Sequence, residues 1–332
     1  MMVSPWHILV MRFLGVVALS LVAACGHGGS RDEEAFRVAL LTPGPISDRS
    51  WNASAYQGLE RIRDSLGAQI SHVQVKTPAD FEENFRQYGA AGYSLVIGHG
   101  FEFQDAAARV APDFPRTIFV TTGGTTVRDN LAPLSFAFDE PSFLAGMVAA
   151  MATRTGRIAC VGGTELPPVK SSFAAFGAGA RLIRPTISVV TAFLGNWNDA
   201  SSGREQALAL RKTGVDVIFQ NADAAGLGVF QVAREDVSLR IIGSNADQND
   251  IVPSATLGSV VIDVPHAFLK VAREVKAHAF TPRVIRLTTK DDVVRWVPNA
   301  SIVDQLPKSA MARIDSVARL MYVGKFSTTS LP

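Results

Sequence analysis

The 332-residue sequence predicts an α/β protein of two similar lobes, each built on parallel strands flanked by helices. Three observations carry this reading. From Phe36 onward, short apolar runs alternate with amphipathic stretches, the pattern of parallel βαβ units. After a helical stretch at 143–151 the alternation begins again. About 300 residues follow an apolar leader, enough for two lobes of ordinary domain size.

In the first lobe, strands are expected at 36–41, 70–75, 95–97 and 117–120. Helices are expected at 54–66, 81–88 and 105–110, the first with Ala55, Leu59, Ile62 and Leu66 on one face. In the second lobe, strands at 158–161, 187–193, 215–219 and 239–242 alternate with helices at 171–183, 204–212 and 227–234. Ser202 followed by Glu205 has the spacing of a capping box and predicts a helix start there. A strand at 259–263 and a helix at 266–278 are expected to return the chain to the first lobe. Apolar runs at 284–287 and 293–297 flank a polar 288–292 and read as a hairpin, and 303–322 reads as helical after Pro307. The expected divisions are a leader at 1–25, a tether at 26–35, lobes at 36–140 and 141–262, and a closing segment at 263–332.

Hydrophobic residues make up 47% and charged residues 19% of the chain, values that suit a globular body with a substantial core. The net charge is +2, so nothing points to nucleic acid as a partner. The leader ends Leu21-Val22-Ala23-Ala24-Cys25, after an arginine at position 12 and a short apolar core. Small residues before a cysteine in that setting read as a lipoprotein signal: cleavage before Cys25 and acylation of its thiol. The apolar run falls short of the roughly 20 residues that cross a bilayer. Met11 is a candidate start, and Gly26 rather than Asp after the cysteine suggests the outer of two membranes by the usual lipoprotein rule. The expected location is the bacterial cell envelope, at the periplasmic face of the inner or outer membrane. With Cys25 lipidated, Cys160 has no disulfide partner, and its apolar surroundings predict a buried, unreactive thiol.

Asp48-Arg49-Ser50-Trp51-Asn52 resembles the D-x-S-F-N loop of the basic membrane protein family, lipoprotein substrate-binding proteins of ABC transporters. Three further blocks resemble that family in order. Asp139-Glu140-Pro141-Ser142-Phe143-Leu144-Ala145-Gly146 is similar to its E-G-S-F-L-A-G helix start. Gly162-Gly163-Thr164-Glu165-Leu166-Pro167, with Phe176-Gly177-Ala178-Gly179 after it, is similar to its G-G-x-E-x-P and F-x-A-G segments. Ile242-Gly243-Ser244-Asn245-Ala246-Asp247-Gln248 is similar to its I-G-V-D-x-D-Q turn. The resemblance implies a type I periplasmic-binding-protein fold: two doubly wound lobes, a hinge and a ligand cleft between them. It also implies a small ligand, with a nucleoside, base or sugar-like molecule favoured, since several members bind purine nucleosides.

Ligands of open parallel sheets bind beyond the carboxyl ends of the strands, so candidates are drawn from those loops. Trp51 and Trp197, one from each lobe, are placed to stack on a flat ligand, or else are packing aromatics. Asn52 and Asp48 suit ring edges and hydroxyls, with helix-cap chemistry as the alternative. Asn221, Asp223, Asn245 and Asp247 form a polar set in the second lobe. Asp247 is matched by the resemblance to a family carboxylate, and Asp223 reads equally as a helix cap. His99 ends the 95–97 strand and is a ligand contact or a structural residue; no second His or Cys stands at metal-ligand spacing from it and Glu102. Ile262, Thr122 and Asn245 depart from the family pattern of Lys, Asp and Asp.

The expected function is capture of a small polar solute for an ABC permease by closure of two lobes, with no cofactor or metal and with the protein acting as a monomer. A sensor presenting its closed form to a membrane receptor is the alternative. A secreted hydrolase is disfavoured, because no G-x-S-x-G elbow is present.

Overall fold

The structure, a computed structural model, describes residues 35–303, 306 and 308–328. The leader, Cys25 and tether residues 26–34 lie outside these residues. The first sheet starts with β1 (Arg37–Thr42), buried on both faces. Val38 and Leu40 pack with α1 (Trp51–Leu66), while Ala39 and Leu41 pack with α2 (Pro78–Ala90) and α3 (Gln104–Val110). A strand covered on both faces is apolar throughout, which is why it reads as a run rather than an alternation. β2 (Gln69–Gln74), β3 (Leu95–Gly98), β4 (Ile118–Thr122) and β5 (Leu131–Phe136) extend the sheet, every pairing parallel. Local chemistry sets the helix ends. Thr77 and Asp80 form a reciprocal capping box with Pro78 inside the start of α2, and Gly67 ends α1 in the left-handed conformation.

The chain crosses to the second lobe with α4 (Asp139–Ala152), then runs β6 (Arg157–Gly162), α5 (Pro167–Ile183), β7 (Ser188–Phe193), α6 (Ala200–Lys212), β8 (Val217–Asn221), α7 (Asp223–Glu235), β9 (Arg240–Asn245) and β10 (Thr256–Ile262). α6 begins two residues before Ser202, because Asp199 is its cap: the Asp199 carboxylate accepts from the Ser201 N–H at 2.9 Å. The expected capping box is therefore not formed; Ser202 instead donates its hydroxyl to Asp199. Cys160 lies fully buried in β6, where burial pushes its thiol well above the ordinary range.

The closing segment serves both lobes. α8 (Val264–Lys276) packs on α1, and β11 (Ile285–Leu287) adds in parallel to β5. β12 (Val294–Pro298) then pairs antiparallel with β10 in the other sheet, followed by α9 (Ala300–Val303) and α10 (Lys308–Tyr322), which packs on α4. The expected hairpin is thus two edge strands in different sheets. A 3₁₀ turn at Thr289–Asp291, capped by Thr288 and Asp291, carries the chain across. The sheet orders are β11-β5-β4-β3-β1-β2 and β12-β10-β9-β8-β6-β7. Three crossings join the lobes and are bonded to one another. The Ala137 N–H donates to Leu287 O (2.8 Å), the Asp263 N–H to Val293 O (2.6 Å), and the Thr289 hydroxyl to Glu140 Oε2 (2.7 Å). Together they form the connection between the lobes. No helix among the described residues is long and apolar enough to cross a membrane.

Candidate binding site

A cavity of about 220 Å³ lies where the carboxyl ends of both sheets meet, the position expected for parallel sheets. The first lobe gives it Trp51, Asn52, Phe101, Glu102, Thr122 and Phe136. The second gives Leu166, Trp197, Asn221, Asp223 and Asn245, and Ile262 lies at a crossing. No group of His, Cys, Asp or Glu among the described residues is arranged to hold a metal ion.

The loop from β1 to α1 is organised by Asp48, which is 1% exposed. Its carboxylate accepts from the backbone N–H groups of Ser50 (2.9 Å), Asn52 (2.8 Å) and Ala53 (2.9 Å), and from the Asn52 side chain (2.7 Å). These are the orphan donors of the first turn of α1, and a carboxylate there also meets the positive end of the helix dipole. Asp48 therefore builds the loop and does not line the cavity. Asn52 does line it, and its amide oxygen is buried without a donor.

His99 is also behind the cavity wall. It is fully buried, stacked on Trp51 with ring centroids 3.9 Å apart and planes 24° from parallel. Its Nε2 lies 3.0 Å from the Trp51 carbonyl, which can only accept, so Nε2 carries the proton and Nδ1 accepts from the Thr122 hydroxyl at 3.2 Å. Burial lowers its pKa to about 3, so the ring is neutral. With one face on His99 and an edge on Phe136 (centroids 6.1 Å), Trp51 has its orientation set from behind.

Trp197 lines the cavity from the second lobe. Asn196 Oδ1 accepts from the N–H groups of Asn198 (3.1 Å) and Asp199 (2.8 Å), fixing the turn. The ring covers Gly163, where a Cβ would stand 2.1 Å from the indole; only glycine permits this approach. Nearby, Asp223 Oδ1 accepts from the Ser50 hydroxyl (3.0 Å) and the Asn245 amide (3.1 Å), which also reaches Asn221 Oδ1 (3.2 Å). Ser50 belongs to the first lobe, so this polar knot ties the lobes together. Asp223 has φ 49° and Asn245 φ 66°, sparsely populated conformations of the kind that gather at binding sites. Burial first, then the charge of Asp48, pushes the Asp223 carboxyl up to about 8; the hydrogen bonds from Ser50 and Asn245 act the other way.

Six of the nine residues expected from the sequence line the cavity: Trp51, Asn52, Trp197, Asn221, Asp223 and Asn245. Asp48 and His99 sit one layer behind it. Asp247 is corrected: it is exposed beyond the end of β9, outside the cavity, and its carboxylate accepts from the Asn249 N–H at 3.0 Å. Its neighbour Gln248 turns inward instead, bonded to Gln220 (2.7 Å) and donating to the Arg49 carbonyl of the other lobe (3.3 Å). Sequence reasoning missed Glu102, Phe101 and Phe136 as wall residues. The first two follow β3 and were reachable by the strand-end rule that singled out His99. Phe136 ends β5, a strand hidden by the proline at its centre.

A family model described as "ABC transporter substrate-binding protein PnrA-like" matches residues 35–317. The chain belongs to this family. The nucleoside-binding protein BmpA of an ABC transporter in Lactococcus lactis is 30% identical over 261 residues, covering 71% of this chain and 74% of that one. The transcriptional activator protein med of Bacillus subtilis is 26% identical over 257 residues, covering 77% and 80% of the two chains. The crystal structure of an ABC transporter solute-binding protein from Aeropyrum pernix superposes with a TM-score of 0.79 at 20% identity, covering 88% of this chain and 92% of that one. The last likeness shows the fold: two α/β lobes of the periplasmic-binding-protein kind.

Proposed function

We propose that this protein is a lipid-anchored receptor that captures a small flat polar solute, nucleoside-like or purine-like, between its lobes and delivers it to an ABC permease. The observation that carries the reading is the cavity itself, walled by a tryptophan from each lobe and by amide and carboxyl groups at the strand ends. Stacking on each aromatic face contributes about 1–3 kcal/mol and tolerates different bases, while the amides and carboxyls set orientation. The nucleoside-binding name of the L. lactis relative supports the ligand class. The anchor at Cys25 rests on the leader sequence, and membership of a family of ABC substrate-binding proteins supports a receptor rather than an enzyme.

Native mass spectrometry of the full chain, purified from membranes in detergent, tests the ligand class directly. A co-purified mass matching a nucleoside or base is the expected result. Trp51→Ala weakens rebinding at least tenfold if the stack is worth the 1.4 kcal/mol or more that stacking supplies. A folded Trp51→Ala variant with wild-type affinity overturns the placement of the site. A second reading, a ligand-dependent sensor, is favoured by the B. subtilis relative, which is named a transcriptional activator.

A further inference from the structure

We infer that the cavity selects a positively charged solute, a flat nitrogen-bearing cation held between tryptophan faces against the carboxyls of Glu102 and Asp223, the latter losing its proton to solvent as the cation binds. This rests on the reading of the cavity as a nucleoside-like site and narrows its ligand class.

The charge inventory is one-sided. Two carboxyl side chains line the cavity and no Lys, Arg or His does. Neither Glu102 nor Asp223 takes part in an ion pair among the described residues. Asp48, at the start of α1, adds a third carboxyl, its lone pairs already engaged by the loop it organises. His99, at the end of β3, is buried and neutral behind Trp51. Asn221 and Asn245 are neutral amides, and Arg49 points to the surface, paired with Asp250 at 2.7 Å. Ile262 contributes an apolar wall. A buried carboxyl such as Asp223 is ordinarily paired with a cation, and here the protein supplies none.

A second observation is independent of these acids. Asn52 is 3% exposed and lines the cavity, yet its amide oxygen finds no donor, while its NH₂ is engaged by Asp48. A buried acceptor without a donor calls for an explanation, and a ligand N–H meets it. The one fully buried polar atom of the wall left without a partner among the described residues is thus an acceptor. The aromatic walls fit the same ligand, because a cation over an indole face is attracted by the ring quadrupole. A phosphate or carboxylate would meet two carboxyls and no cation.

The experiment is isothermal titration of the full chain in detergent with four probes on one scaffold: adenosine, 1-methyladenosine, 5′-amino-5′-deoxyadenosine and AMP. The two middle probes carry the positive charge on the base and on the sugar. At least one should bind about tenfold or more tightly than adenosine, and AMP should not bind. Glu102→Gln and Asp223→Asn should each pull the cation-to-neutral affinity ratio toward one, with folding checked by circular dichroism. Asn is suited to position 223, because it tolerates positive φ. Adenosine binding as tightly as both cations, AMP binding, or a ratio unchanged in both variants overturns the inference and leaves the nucleoside-like reading in place. Silence from all four probes overturns that reading, and the inference with it.

Discussion

At residue 223 a carboxyl sits where charge is costly, and that makes stability depend on pH with a definite sign. Burial and the neighbouring Asp48 and Glu102 push Asp223 up to about 8 from an ordinary 3.8. Between those values the folded protein keeps a proton that the unfolded chain has released, so stability falls as pH rises and levels off above about 8. Burial raises Glu102 too, with the same sign. Two histidines, His99 and His72, are lowered by burial and act oppositely, but only below their ordinary 6.5. The clean window is therefore pH 6.5 to 8. Thermal melts across it should show the wild-type Tm falling and Asp223→Asn holding more nearly constant; parallel curves would refute the assignment. Much of this site was legible in the sequence, because strand ends and polar residue types coincide at Trp51, Asn52, Asn221, Asp223 and Asn245. What the sequence hid was layering. Asp48 and His99 carry chemistry-bearing side chains in the right loops, yet backbone donors and the Trp51 ring claim them before a ligand can. Asp247 failed for a different reason: β9 ends at Asn245, and the turn beyond it points the next carboxylate to solvent and a glutamine inward.

At the scale of elements, two of the blocks that carry the family resemblance turn out to be packing devices. Gly146 of α4 and Gly179 of α5 sit at a helix crossing where a Cβ would stand 1.9 Å from the Phe176 carbonyl and 2.0 Å from the Phe143 carbonyl. Backbone meets backbone there, and no side chain can move aside. Gly146→Ala should destabilise the protein by about 3 kcal/mol or more, at the upper end of overpacking costs, with a fall in Tm rather than a selective loss of affinity. A variant that melts like the wild type would show that the helices can separate freely. The elements the sequence concealed have equally local causes. β5 contains Pro133, which argues against a strand. It is tolerated because β11 pairs only with residues 134–136, leaving Pro133 past the end of that neighbour. The hairpin misreading arose because two apolar runs around a polar turn look alike whether they pair with each other or with two different sheets. The pairings with β5 and β10 decide it, together with the bonds from Thr289 to Glu140 and from the Asp263 N–H to the Val293 carbonyl, and all these partners are distant in sequence.

Across the whole molecule, the lobes are joined by the three crossings and by a small set of side-chain contacts. Arg49, Asp223 and Asn245 all have positive φ, and all three meet in this contact region. Two kinds of bond hold it. The Arg49–Asp250 pair is exposed on both sides, so screening leaves it worth little. The Ser50 hydroxyl is buried; it donates to Asp223 at 3.0 Å and accepts from Asn245 at 3.2 Å. Removing that hydroxyl takes two buried hydrogen bonds out of the knot, while Asn245 keeps its bonds to Asp223 and Asn221, at a cost of about 1–3 kcal/mol to the joined state. In the proposed capture the lobes join after a ligand has entered, so the loss should fall on release rather than on capture. Stopped-flow tryptophan fluorescence, with whichever adenosine-series probe binds most tightly, should show Ser50→Ala raising koff about tenfold to a hundredfold with kon little changed. Arg49→Ala should alter koff by less than about threefold, in keeping with a screened pair. The reverse order, with the exposed pair dominating and Ser50→Ala silent, would mean that the buried knot does not hold the lobes together.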